Sequence, residues 1–155
     1  MADLTPAQLR QRLSSALLAS LGGDWREATM PWALLNQGSQ LDRHRSFAVG
    51  IISTDPVDGD RQRKARGMMA HTLVSVSHIY QLRVDDAVDD YDRALDDEIA
   101  VMDAIQSVAA SLNLSITVDS IPARRVGLDY IYTGEIRLLA HHRYPLQLPV
   151  AVVAA

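Results

Sequence analysis

Apolar and polar positions divide the chain into patterned runs of two kinds. From Pro6 to Leu21, Leu9, Leu13, Ala16, Leu17 and Leu21 fall on one face at helical spacing. Thr5-Pro6-Ala7-Gln8 ahead of them offers a cap, a proline at the first helical position and a glutamine three residues after the cap. Gly22-Gly23 supplies the stop. A second helical run is expected from Asp86 to Leu112. There Val88, Tyr91, Leu95, Ile99, Met102, Ile105, Ala109 and Leu112 draw an apolar stripe at steps of three and four. Asp85 or Asp86 is the expected cap. At about 1.5 Å per residue this helix runs roughly 40 Å. Each large stripe residue gains about 1.5–3 kcal/mol by burial, so the helix must lie across something apolar.

The other runs alternate with the period of a strand. Arg45 to Ser53 puts Phe47, Val49 and Ile51 on one face. Met68 to Leu82 puts Val74, Val76, His78, Tyr80 and Leu82 on one face and Leu73, Ser75, Ser77, Ile79 and Gln81 on the other. Leu114 to Ile121 alternates again, and Pro122 to Gly127 is expected to be a basic connection through Arg124 and Arg125. Tyr130, Tyr132, Ile136, Leu138, Ala140, His142 and Tyr144 mark one face of a last strand. Gly134 on that face signals a bulge or a close approach. Asp55 to Asp60 is turn chemistry, and Asp55 to Gly67 is expected to protrude as a hairpin loop with a basic flank. Asp24 to Arg43 has no period, only the anchors Trp25, Met30, Pro31 and Trp32. The expected order is α-β-β-α-β-β. It gives an α+β fold in which two hairpins form an antiparallel sheet packed against two helices. One domain covers 1–155, with an extended apolar arm over 145–155.

Composition narrows the class. A chain of 155 residues can bury a real core, and the absence of cysteine removes a disulfide framework and thiolate chemistry. The net charge of −4 argues against a general nucleic-acid binder. Met1-Ala2-Asp3 lacks the basic start of a signal peptide and Pro149 to Ala155 is too short to span a bilayer, so a soluble, cytoplasmic-type chain is expected.

Candidate chemistry thins out on inspection. Asp85-Asp86-Ala87-Val88-Asp89-Asp90 resembles the aspartate-rich signature with which isoprenoid synthases hold magnesium and diphosphate. It follows a strand and has no second copy, and a capped helix start explains it. Asp55, Asp58 and Asp60 suggest a calcium loop, but the twelfth position is Arg66 where a bidentate glutamate is needed. His71 and His78, like His141 and His142, are separated by odd numbers of residues and point to opposite faces of a strand. There is no nucleophile elbow and no phosphate-cradling glycine loop. We expect no catalytic residue, no cofactor and no metal. The remaining feature is electrostatic. Arg61, Arg63, Lys64 and Arg66 form a basic cluster, and Asp85, Asp86, Asp89 and Asp90 open an acidic helix whose other face carries Asp96, Asp97 and Asp103. These two groups are the expected interface residues. A DNA backbone passing nearby is a further use for the four positive charges.

Four stretches carry a family resemblance: Arg45 to Ile51, His71 to His78, the helix around Tyr91-Asp92-Arg93-Ala94-Leu95, and Tyr130 to Ile136. Over roughly Leu9 to Tyr144 the chain resembles the tail terminator and tail-completion proteins of long-tailed bacteriophages and related particles. The resemblance implies a structural virion protein, made in the bacterial host cytoplasm. Such a protein forms a homo-oligomeric ring, commonly a hexamer, on the head-proximal end of the tail tube. There it stops tube polymerisation and meets the head–tail connector. It has no catalytic residue to carry over and no membrane partner. The alternatives are another neck or adaptor component of such a particle, or a small ligand-binding or enzymatic α+β domain.

Overall fold

A computed structural model describes residues 3–28, 44–57, 68–127 and 129–144. The elements are α1 (Pro6–Leu21), β1 (Arg26–Glu27), β2 (Ser46–Pro56), β3 (Met68–Gln81), α2 (Ala87–Ser111), β4 (Ser115–Val126) and β5 (Ile131–Tyr144). The five strands form one sheet in the order β1-β2-β3-β5-β4. The two expected hairpins are present as β2–β3 and β4–β5, joined at the centre by the antiparallel β3–β5 pair. The expectation of a purely antiparallel sheet is corrected: β1, inside the segment that had no period, pairs parallel to β2 through Arg26 with Ser46 and Glu27 with Phe47. Two residues carry no readable alternation. The sheet is therefore mixed.

The ends of α1 form as the sequence implies. Thr5 and Gln8 make the reciprocal capping box, with Gln8 N–H donating to Thr5 Oγ1 at 3.2 Å and Thr5 N–H donating to Gln8 Oε1 at 3.0 Å. Gly22 ends the helix at a φ of 90°, which a side chain would strain. Both helices lie on one face of the sheet. Leu9, Leu13 and Leu17 of α1 and Val101, Ile105 and Val108 of α2 meet Phe47, Val49, Val74, Val76, Ile136, Leu138 and Ala140. The β3–β5 register sets those strand residues in layers: Thr72 opposite Ala140, Val74 opposite Leu138, Val76 opposite Ile136, His78 opposite Gly134, and Tyr80 opposite Tyr132. On the opposite face Ala48, Ile79 and Ile131 form a smaller buried group with Ala28.

Two sequence expectations fail. The basic connection from Pro122 to Gly127 is strand instead: β4 continues to Val126, with Arg124 opposite Gly134 and Val126 opposite Tyr132. It passes Pro122 because β4 is an edge and its register shifts between Ser120 and Ala123, where a missing N–H costs no ladder bond. The second failure is the stripe of α2. Val88, Tyr91 and Ile99 are exposed, whereas Asp90, Ala94, Asp97, Glu98, Val101, Ala104, Ile105 and Val108 are buried. The buried face is rotated from the expected stripe because carboxylates occupy three of its positions. No described helix is long and apolar enough to cross a membrane.

Candidate functional site

Three acids of α2 point into the sheet, and each meets an arginine from a different part of it. Asp90 accepts from Arg83, which follows β3: the backbone N–H at 2.7 Å, Nε at 3.0 Å and Nη2 at 3.0 Å. Arg93 adds a longer contact of 3.5 Å from within the helix. One turn-pair further on, Asp97 accepts from Arg45 Nε and Nη2 at 3.1 and 3.3 Å. Arg45 precedes β2, sits at a φ of 47° and lies 5.8 Å from the centroid of the Tyr80 ring. Glu98 accepts from Arg124 of β4, with Nε at 3.0 Å and Nη2 at 2.8 Å from Oε2. The pattern is mechanical as well as electrostatic: three arginines tie one helix to β2, to the end of β3 and to β4.

Around Glu98 the packing is tightest. His78, buried on β3, holds its Nε2 3.7 Å from Glu98 Oε1. Its ring lies over Gly134, where an added Cβ would overlap Nε2 and approach Cε1 to 2.7 Å. That is the close approach the glycine signalled. Tyr132 packs beside His78, ring centroids 5.8 Å apart, and receives the edge of Tyr91 at 5.9 Å. The Tyr132 hydroxyl and His78 Nε2 have no hydrogen-bond partner among the described residues. The His78 imidazole and then the Arg124 guanidinium hold the Glu98 carboxyl down at about 2, against the effect of burial. Hydrogen bonds from the Arg83 side chain and backbone hold Asp90 at about 2. Burial, then the Glu98 charge, push the Tyr132 phenol up to about 12. His78, Glu98 and Tyr132 are all buried where α2 meets the sheet.

The expected interface residues therefore separate. Arg61, Arg63, Lys64 and Arg66 lie outside the described residues. Asp85, Asp86 and Asp89 are exposed at the start of α2, with Asp86 3.5 Å from Arg83. Asp86 stands at the N-cap without a side-chain cap bond, which corrects its expected role. Asp90 is buried and paired with Arg83, and Asp97, expected on the outer face, is corrected, being buried and paired with Arg45. Asp92, Asp96 and Asp103 do stand in solvent. The sequence reading missed His78, Glu98, Arg124 and Tyr132 as one group. The available signal was a second helical series, Asp90, Ala94, Glu98, Val101, Ile105 and Val108, which sets Glu98 on the same face as branched apolar residues.

What this surface can do chemically is attract. After the three inward acids are neutralised, α2 still presents Asp89, Asp92, Asp96 and Asp103 to solvent. In comparison with known proteins, no protein-family model and no curated protein sequence matches this chain.

Proposed function

We propose that this chain is a structural assembly protein of the bacteriophage tail-terminator type, working as a ring at the head-proximal end of a tail tube. In that role it stops tube polymerisation, joins the tail to a head connector and performs no catalysis. The observation that carries the reading is the order α1, β2–β3 hairpin, α2, β4–β5 hairpin, with both helices on one face of a single sheet. This is the arrangement the resemblance implies. The outward acids of α2 support it as well, because their charge is complementary to that of Arg61, Arg63, Lys64 and Arg66 on a neighbouring copy. Contacts between unlike surfaces close into rings when the rotation per copy divides a full turn.

Electron microscopy of the purified chain, with solution mass measured across protein concentration, tests the proposal. A closed ring of severalfold the single-chain mass is expected. Reversing the four charges of the 61–66 cluster should weaken the ring or abolish tail joining in a reconstituted assembly. A monomer at every concentration would overturn the reading.

A further inference from the structure

The chain has five histidines, and the fold sets three of them apart. His78 is buried beside Glu98. His142 is buried with both ring nitrogens engaged, Nε2 with Thr72 Oγ1 at 2.6 Å and Nδ1 with the Leu4 carbonyl oxygen at 3.0 Å. His44 stands edge-on to Tyr80, and its Nδ1 accepts from the Gln81 N–H at 3.4 Å. The other two come together. His71 of β3 and His141 of β5 are direct partners in the central pairing. Histidines an odd number of residues apart on one strand fall on opposite faces, but partners across two strands share a face. Theirs is the face turned away from the helices, because the next layer, Thr72 opposite Ala140, belongs to the helix side.

The two rings stand 5.7 Å apart between centroids, at an interplanar angle of 74°. Two imidazoles on one tetrahedral zinc ion, with Zn–N bonds of about 2.0–2.1 Å, hold their centroids roughly 5 Å apart. A small rotation of either ring closes the difference. Both residues are partly exposed, and among the described residues no hydrogen bond engages either ring. The strands beneath them pair without a register shift, so the backbone presents the two donors already in place.

Among the described residues no group of three or more such side chains is close enough to enclose an ion. Asp55 lies opposite His71 on β2, and Ser115 lies opposite His141 on β4. Neighbouring strands are about 4.8 Å apart, so Asp55 is one strand too far to ligate an ion held between β3 and β5. From there a carboxylate can orient His71 or accept from a metal-bound water. Arg143, two residues along β5 on the same face, has its Nε 3.8 Å from Asp3 Oδ1, which offsets its charge.

We propose that His71 and His141 form a two-histidine site for a divalent transition cation, zinc in the first instance, with water in the open positions. Imidazole donors select the zinc, nickel and copper group over magnesium and calcium, which take oxygen ligands. The ion clamps one hairpin to the other across the β3–β5 seam, and binding to the folded chain alone stabilises it. The site is independent of the assembly reading above.

The test uses the tag-free full chain and zinc chloride, read by calorimetric titration, by imidazole NMR signals and by thermal melting. One ion per chain is expected, with Tm rising as zinc is added. The ring signals of His71 and His141 should move and those of His44, His78 and His142 should not. Loss of an outer partner alone costs about 10–100-fold in metal affinity, so His71→Ala and His141→Ala should each weaken binding by at least about tenfold. His44→Ala should leave it unchanged, and excess magnesium should not compete. The NMR readout needs no variant, so it decides the matter even where a substitution impairs folding. No binding in a large excess of zinc would overturn the proposal. So would ring shifts confined to other histidines, binding that survives both single substitutions, or one ion shared between two chains.

Discussion

Gly134→Ala is the sharpest probe of the packing beneath α2. Gly134 is not at a positive φ, so the backbone accepts alanine and the whole effect is spatial. The new Cβ would overlap His78 Nε2, lie 2.7 Å from Cε1 and 3.3 Å from Glu98 Oε1. The imidazole cannot swing clear without entering Tyr132 or Glu98, since the ring is 1% exposed. Overpacking of this kind costs about 1–3 kcal/mol. Removing a strand glycine offsets roughly 0.5–1 kcal/mol of that through the unfolded chain. The net expectation is a loss of about 1–2 kcal/mol, or roughly 2–8 °C in Tm for a domain of this size. The decisive assay is a double-mutant cycle by thermal unfolding with His78→Ala. Once the ring is gone, Gly134→Ala should be neutral or stabilising, a coupling of at least about 1 kcal/mol where distant sites add within about 0.5 kcal/mol. Additive costs, or a raised Tm for Gly134→Ala alone, would refute the argument that the ring is pinned.

Three other outcomes follow from the ties on α2 and α1. The Glu98 carboxyl is lowered from 4.5 to about 2, so its contribution is present above pH 4.5 and is lost as pH falls toward 2. Allowing for the partly exposed Arg124, urea unfolding should show about 1–3 kcal/mol more acid loss in wild type than in Glu98→Gln; equal losses would sink this assignment. Arg124→Ala leaves Glu98 buried without the guanidinium that donates to it at 2.8 Å, and it should lower Tm clearly more than Arg125→Ala on the same exposed edge. Thr5→Ala removes the capping box and should cost about 1 kcal/mol in the same melting assay.

How much of this was legible in the sequence differs by element. The sheet faces were, because strand period is insensitive to what lies above: Phe47, Val49, Val74, Val76, Ile136 and Leu138 all lie where alternation puts them. The cap of α1 was, because capping is a contact between near neighbours. The buried side of α2 was not. Hydrophobicity orients a helix only when its inward positions are apolar, and Asp90, Asp97 and Glu98 are made tolerable by arginines 7, 52 and 26 residues away in sequence. A tie of that range leaves no local trace, so the exposed stripe of Val88, Tyr91 and Ile99 passed for the core stripe. β1 was hidden for a simpler reason, since two residues cannot display a period.

The central β3–β5 pairing runs in register from Met68 opposite Tyr144 to Gln81 opposite Ile131 without a bulge, whereas the β2–β3 and β4–β5 pairings carry shifts. Each hairpin joins strands that are consecutive in sequence, whereas this seam joins strands with a helix and β4 between them, so it carries the larger loop-closure cost. Those amide protons along Val74–Val76 and Ile136–Leu138 that bond across the seam are expected to be among the best protected in a hydrogen-exchange experiment.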